Sequence, residues 1–149
     1  MNAWDLLITG PTGGGKSFIG SAFGHQACQY GYTVTYLPAS RLFNEIEAAK
    51  SDGTYLKHLS SIMKNELLLI DDFGLEPLNH TSRMASLEIL EDRHRRKSTM
   101  VISQQPVENW YAIIGDPTIA DAIMDRLAFH SHRIEITGDT VRRKLYAVD

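Results

Sequence analysis

The stretch Gly10-Pro11-Thr12-Gly13-Gly14-Gly15-Lys16-Ser17 spells G-x-x-x-x-G-K-[ST], and its flanks constrain what such a chain can fold into. Leu6-Leu7-Ile8 ahead of it reads as a buried strand, and residues 18–29 behind it read as a helix. Strand, glycine loop and helix in that order make a phosphate cradle. Successive backbone N–H groups, backed by a helix N-terminus, point at anionic oxygens. Gly13, Gly14 and Gly15 let the main chain wrap an anion with no Cβ in the way. Lys16 is expected to reach the β- and γ-phosphates of a nucleotide, and the Ser17 hydroxyl to hold Mg²⁺. The segment expected to touch the nucleotide runs from Gly10 through Pro11, Thr12 and the three glycines to Phe18.

Apolar runs and helical periods alternate along the rest of the chain, the pattern of an α/β protein with a parallel sheet. Thr33-Val34-Thr35-Tyr36-Leu37 is β-branched and aromatic, hence a second strand that Pro38 is expected to end. Ser40 is a candidate cap for a helix over 41–50, which Ser51-Asp52-Gly53 breaks, and residues 55–64 read as another helix. Glu66-Leu67-Leu68-Leu69-Ile70 is apolar enough for a central strand covered on both faces. Helical spacing returns over 81–96, Thr99-Met100-Val101-Ile102 is a fourth strand, and short helices are expected over 108–114 and 118–129. The second of these follows Asp116-Pro117, a helix-start signal. Arg133-Ile134-Glu135-Ile136 alternates like a half-exposed fifth strand.

At 149 residues the chain has the length of one domain, and residues 1–149 read as a single ATPase domain. No apolar run approaches a membrane span and no signal segment opens the chain, so a cytoplasmic protein without membrane contact is expected. Cys28 is the only cysteine, which rules out an intramolecular disulfide and a thiolate metal site; a buried residue of the first helix is expected. The formal charge of −3 neither announces nor excludes a nucleic-acid partner, because phosphate affinity depends on where Lys and Arg sit. Only nine residues precede the phosphate loop, where many such ATPases carry a further segment, so a truncated fragment is expected.

The third apolar run closes on Asp71-Asp72, which is what the second half of a nucleotide site requires. A rigid buried strand presents a carboxylate beside the bound nucleotide at its C-terminal end. Asp71 is assigned to Mg²⁺, through water, and Asp72 to the attacking water as general base, with a turn cap as its alternative. Strand four ends at Ser103-Gln104, where a polar side chain orients the lytic water; Gln104 is the candidate, Ser103 and Gln105 the alternatives.

Four blocks of the sequence resemble the IstB family, helper ATPases of a class of bacterial insertion sequences. They are residues 10–17, Ile70-Asp71-Asp72-Phe73-Gly74-Leu75, Ser103-Gln104-Gln105-Pro106-Val107-Glu108-Asn109-Trp110, and residues 115–127, with His132-Arg133-Ile134-Glu135 beyond them. IstB is similar to the DnaC-type helicase loaders, and both belong to the AAA+ superfamily. The resemblance implies a P-loop AAA+ fold, a five-stranded parallel sheet of order 5-1-4-3-2 with helices on both faces. As a departure from the AAA+ pattern, no C-terminal helical lid is expected, because the sequence stops soon after the fifth strand. The resemblance also implies an ATPase that uses ATP and Mg²⁺, forms a homo-oligomer on duplex DNA and assists a transposase. Because the sequence supplies no recognisable helix-turn-helix or zinc module, sequence-nonspecific DNA binding is expected. By analogy Arg126, in Asp125-Arg126-Leu127, is the arginine finger that reaches the γ-phosphate of a neighbouring subunit; an ion pair with Asp121 or Asp125 is the alternative. Arg142, after Gly138-Asp139-Thr140-Val141, is either a second nucleotide sensor or part of a solvated tail. The family usually has Thr at the position of Ile102 and Leu at that of Gln105.

The densest basic cluster is Arg93-His94-Arg95-Arg96-Lys97. It reads either as cations favoured by the last turn of a helix or, on the inner surface of a ring, as phosphate ligands. Arg142-Arg143-Lys144 is a second DNA candidate. Three readings compete with the transposition helper: a DnaC-type loader with the same chemistry and a different partner, a small P-loop kinase, and a nucleotide-binding fragment with no turnover of its own.

Overall fold

A computed structural model describes residues 3–11, 15–127 and 131–136. Five strands form one sheet: β1 (Asp5–Thr9), β2 (Val34–Pro38), β3 (Leu67–Asp71), β4 (Ser98–Ser103) and β5 (Ser131–Glu135). They lie in the order β2-β3-β4-β1-β5, and every pairing is parallel, which is the expected 5-1-4-3-2 order read from the other edge. β3 and β4 are buried along their whole length, as their near-continuous apolar sequences require of inner strands of a parallel sheet. β2 and β5 are the edges. Pro38 is the last residue of β2, opposite Asp71, rather than a terminator beyond it; an edge strand tolerates the missing N–H.

One face of the sheet carries α1 (Lys16–Gln29), over Leu6, Ile8, Leu67, Leu69, Met100 and Ile102. Gly20 and Gly24 bring this helix close: a Cβ on Gly20 would lie 2.5 Å from Ile102 Cδ1. The inner stripe continues to Ala27, which turns Cys28 outward, so the cysteine is exposed rather than buried. The other face carries α2 (Ala39–Asp52), α3 (Tyr55–Met63), α4 (His80–Arg93), α5 (Trp110–Ile114) and α6 (Pro117–Leu127). α2 starts at Ala39, one turn position ahead of the proposed Ser40 cap, because Pro38 sits at the N-cap in an extended conformation. α4 starts under a capping box in which the Asn79 side chain accepts from the Ser82 N–H while the Ser82 hydroxyl accepts from the Asn79 N–H. Residues 128 and 129, expected in the last helix, lie outside the described residues. Among the described residues no helix is long and apolar enough to cross a membrane.

The basic cluster is divided by the fold. Arg93 is 1% exposed, and its guanidinium donates to Thr99 Oγ1 and to the carbonyls of Met63, Asn65, Glu66 and Ser98. It joins the end of α3 to the starts of β3 and β4. Burial pushes its pKa down to about 10, opposed by Asp5 and Asp92, so the side chain stays charged at neutral pH. The reading of Arg93 as a DNA phosphate ligand is therefore corrected: it is a buried cross-link. Lys97 donates to the Met63 carbonyl at 2.8 Å, while Arg95 and Arg96 are exposed. This turn lies at the N-terminal ends of β3 and β4, the opposite end of the sheet from the phosphate loop.

Candidate nucleotide site

The site is built where β1, β3 and β4 end. Gly10 follows β1 with φ of 151°, and its N–H donates to the Ser103 carbonyl of β4. The Ile136 N–H donates to the Thr9 carbonyl on the other side. A Cβ at Gly10 would stand 2.4 Å from the Ile136 oxygen, so only glycine fits between the two neighbouring chains. Thr12, Gly13 and Gly14 lie outside the described residues. Gly15 precedes α1 in the left-handed conformation, with no side-chain cap on the helix and no acidic residue in its first turn. The first N–H groups of α1 thus have no side-chain acceptor from the cap, the condition under which a helix start takes an external anion.

Lys16, the first residue of α1, is buried, and its ammonium donates to the Pro11 carbonyl at 2.7 Å. Burial lowers its pKa, and the nearby carboxylates of Asp72 and Asp71 oppose that shift. Ser17 Oγ donates to Asp71 Oδ2 at 3.0 Å, bringing together two residues 54 positions apart. Asp71 is 5% exposed and is the last residue of β3. Its Oδ1 accepts the Asp72 N–H at 2.8 Å, and its Oδ2 also accepts the hydroxyl of Tyr36 from β2. Phe18 projects outward, 76% exposed, at the start of α1.

Asp72 is exposed and has φ of 56°, a left-handed conformation that Asp tolerates better than most residues. The chain then folds back onto β4. Phe73 N–H donates to the Ile102 carbonyl, and Ser103 Oγ donates to the Phe73 carbonyl at 2.5 Å while accepting the Gln105 N–H. Trp110 closes the corner, donating from Nε1 to the Gln105 carbonyl and meeting the Phe73 ring edge-on at 5.0 Å. Gln105 also accepts from Asn109 at 3.1 Å. Ser103 and Gln105 are thus committed to holding the loop, which leaves Gln104, half-buried between them, as the polar side chain of this strand end without such a task.

Arg126 stands apart from this cluster. It lies on α6, across the sheet from α1, where it pairs with Asp125 at 2.7 Å and with Glu91 of α4 at 3.8 Å. The Asp125 pair is the alternative raised from sequence; the Glu91 contact comes from helix packing. Arg142, Arg143 and Lys144 lie outside the described residues.

Two hard oxygens, from Ser17 and Asp71, face one another, and among the described residues no cluster of three or more His, Cys, Asp or Glu side chains is placed to cage a metal. That donor set fits Mg²⁺, which keeps several waters and shares its ligands with substrate phosphates, and does not fit a metal held by protein alone. Tyr36 was not legible as a site residue: in the sequence it is one more strand-forming aromatic. Its role depends on the β2–β3 register, which sets Tyr36 opposite Leu69, two residues before Asp71.

Residues 1–147 match the family described as IstB-like ATP binding protein. The chain is 48% identical over 139 residues to y4pL of Sinorhizobium fredii (strain NBRC 101917 / NGR234), which is named as an insertion sequence ATP-binding protein. That alignment covers 93% of this chain and 57% of y4pL, so the chain spans little more than half the length of this relative. AMPPCP-bound DnaA from Aquifex aeolicus superposes with a TM-score of 0.80 at 18% identity, covering 98% of this chain and 44% of DnaA. DnaI superposes at 0.76 with 24% identity, covering 90% and 73%. These likenesses show that the chain shares the fold of DnaA and DnaI.

Proposed function

The chain belongs to the IstB-like ATP binding protein family, and from that premise we propose that it is the ATP-hydrolysing domain of a cytoplasmic transposition helper that forms a homo-oligomer on duplex DNA and assists a transposase. The observation that carries this reading is the meeting of Ser17 with Asp71 at the C-terminal end of β3, with Lys16 beside it in the uncapped first turn of α1 and within electrostatic reach of Asp71 and Asp72. The insertion-sequence relatives support the biological setting.

In this reading Gly10, Pro11, Thr12, Gly13, Gly14 and Gly15 wrap the phosphates, and Phe18 borders the nucleotide. The Lys16 ammonium leaves the Pro11 carbonyl for the β- and γ-phosphates, a favourable exchange for a cation that burial has partly desolvated. Ser17 and Asp71 hold Mg²⁺. Bound there, Mg²⁺ neutralises phosphate charge. Asp72 accepts the proton of the attacking water as ATP and water become ADP and phosphate, and its exposed position gives it access to that water. Gln104 orients the same water. Arg126 lies across the sheet from its own phosphate loop, so it serves the site of a neighbouring copy, exchanging Glu91 and Asp125 for the γ-phosphate.

The test is ATPase rate per subunit against protein concentration, with and without duplex DNA, in wild type and Arg126→Ala. The rate is expected to rise with concentration and with DNA, and to fall on the order of a thousandfold without the trans arginine. A rate indifferent to concentration, DNA and Arg126 would refute the shared-site assembly.

A further inference from the structure

Asp71 is almost fully enclosed, so protein groups, not bulk water, set the direction of its carboxylate. Three donors do so: the Asp72 N–H on Oδ1, and the hydroxyls of Ser17 and Tyr36 on Oδ2. The first two come from the strand end and the phosphate loop. The third comes from the edge strand β2, whose Val34 and Tyr36 point toward α1 by strand alternation. In register the Tyr36 backbone lies beside Leu69, and the long phenol spans the two residues to Asp71. The ring itself is 39% exposed. Phenylalanine would supply the same strand propensity and the same packing, so the hydroxyl has its use at Asp71.

We propose that Tyr36 is a positioning residue for the divalent cation of this site, acting through Asp71; the proposal rests on the nucleotide reading above. The Ser17 hydroxyl must give its hydrogen to Asp71 in order to turn its lone pairs toward a metal. That requires a carboxylate whose plane is held, and the Tyr36 hydroxyl holds the oxygen that Ser17 uses. Without it, Oδ2 keeps Ser17 alone, and the two metal-facing oxygens lose their fixed relation. Outer partners of this kind change metal affinity by about 10- to 100-fold when removed.

The experiment titrates Mg²⁺ into wild-type and Tyr36→Phe protein with a fluorescent ATP analogue, and repeats the analogue titration in EDTA. In Tyr36→Phe the Mg²⁺ concentration at half-saturation is expected to rise about tenfold, while the metal-free affinity and the circular-dichroism melt stay at wild-type values. In an Asp71→Asn background the same change is expected to have no further effect, because it acts through that carboxylate. An unchanged or lowered Mg²⁺ requirement, or equal weakening with and without metal, overturns the proposal and leaves nucleotide binding standing. A wild-type protein that does not take up the analogue with Mg²⁺ overturns the nucleotide reading, and this inference with it.

Discussion

Replacing Arg93 by methionine keeps most of the buried volume and removes the guanidinium. Four of its hydrogen bonds are 3.2 Å or shorter, to Thr99 Oγ1, Met63 O, Asn65 O and Ser98 O. Hydrogen bonds from a charged donor contribute about 1.5–3 kcal/mol each, and their acceptors remain behind in the variant, with two of these four bonds fully buried. Against this, folding no longer has to desolvate a cation, a cost of several kcal/mol. The balance is a loss of about 4 kcal/mol, a large part of the 5–15 kcal/mol typical of a folded domain. In a protein of this size it lowers Tm by about 10 °C. Urea denaturation followed by circular dichroism measures it, with Arg96→Met as the control, an exposed member of the same cluster expected to change stability by less than about 0.5 kcal/mol. Arg93→Met with a loss under about 1 kcal/mol, or with intact stability and weakened DNA binding, would refute the assignment of Arg93 as a cross-link.

Gly10→Ala places a methyl 2.4 Å from the Ile136 carbonyl oxygen and should cost about 2 kcal/mol or more, together with nucleotide affinity; a thermal melt and an analogue titration check both. Ser103→Ala removes the link between the Phe73 carbonyl and the Gln105 N–H, with an expected loss of about 1–3 kcal/mol by denaturant titration. Asp72→Asn should bind the ATP analogue normally and hydrolyse ATP about 100-fold or more slowly, and normal turnover would remove it from the role of base. Burial and the hydrogen bond to Glu88 push the Tyr55 hydroxyl up to about 12, from 10.0 when unfolded. The folded-state value is the higher one, so this contribution is complete below pH 10 and fades as pH rises to about 12. Tyr55→Phe should therefore flatten the alkaline loss of stability over that window and remove one late-titrating tyrosinate from the absorbance curve.

Much of the fold could be read from residue order. The apolar runs at 6–8, 67–70 and 99–102 became β1, β3 and β4, while the strand order, which matches the observed one, came from the family resemblance and not from residue order. Boundaries moved by a few residues where a cap or an edge position intervened, as at Pro38 and Asn79. Errors of placement had a different origin. A run of basic residues looks uniform in sequence, yet Arg93 is enclosed by carbonyl ends from three elements while Arg95 and Arg96 face solvent. Cys28 is exposed because a helix turns by 100° per residue and Ala27 takes the inward position.

What the sequence by itself determines is the strand–glycine loop–helix unit and the acidic end of β3, because the forces that make them are local: hydrophobic period, glycine conformation and helix-end polarity. Which groups meet at Asp71 depends on contacts 35 and 54 residues apart, and which arginine is enclosed depends on carbonyls about 30 residues away. Those contacts exist only after the parallel sheet has set the order and register of its strands. The tertiary structure alone therefore decided that Tyr36 joins the site, that Arg93 leaves the DNA-binding candidates, and that Arg126 pairs with Asp125 and Glu91 on the sheet face opposite α1.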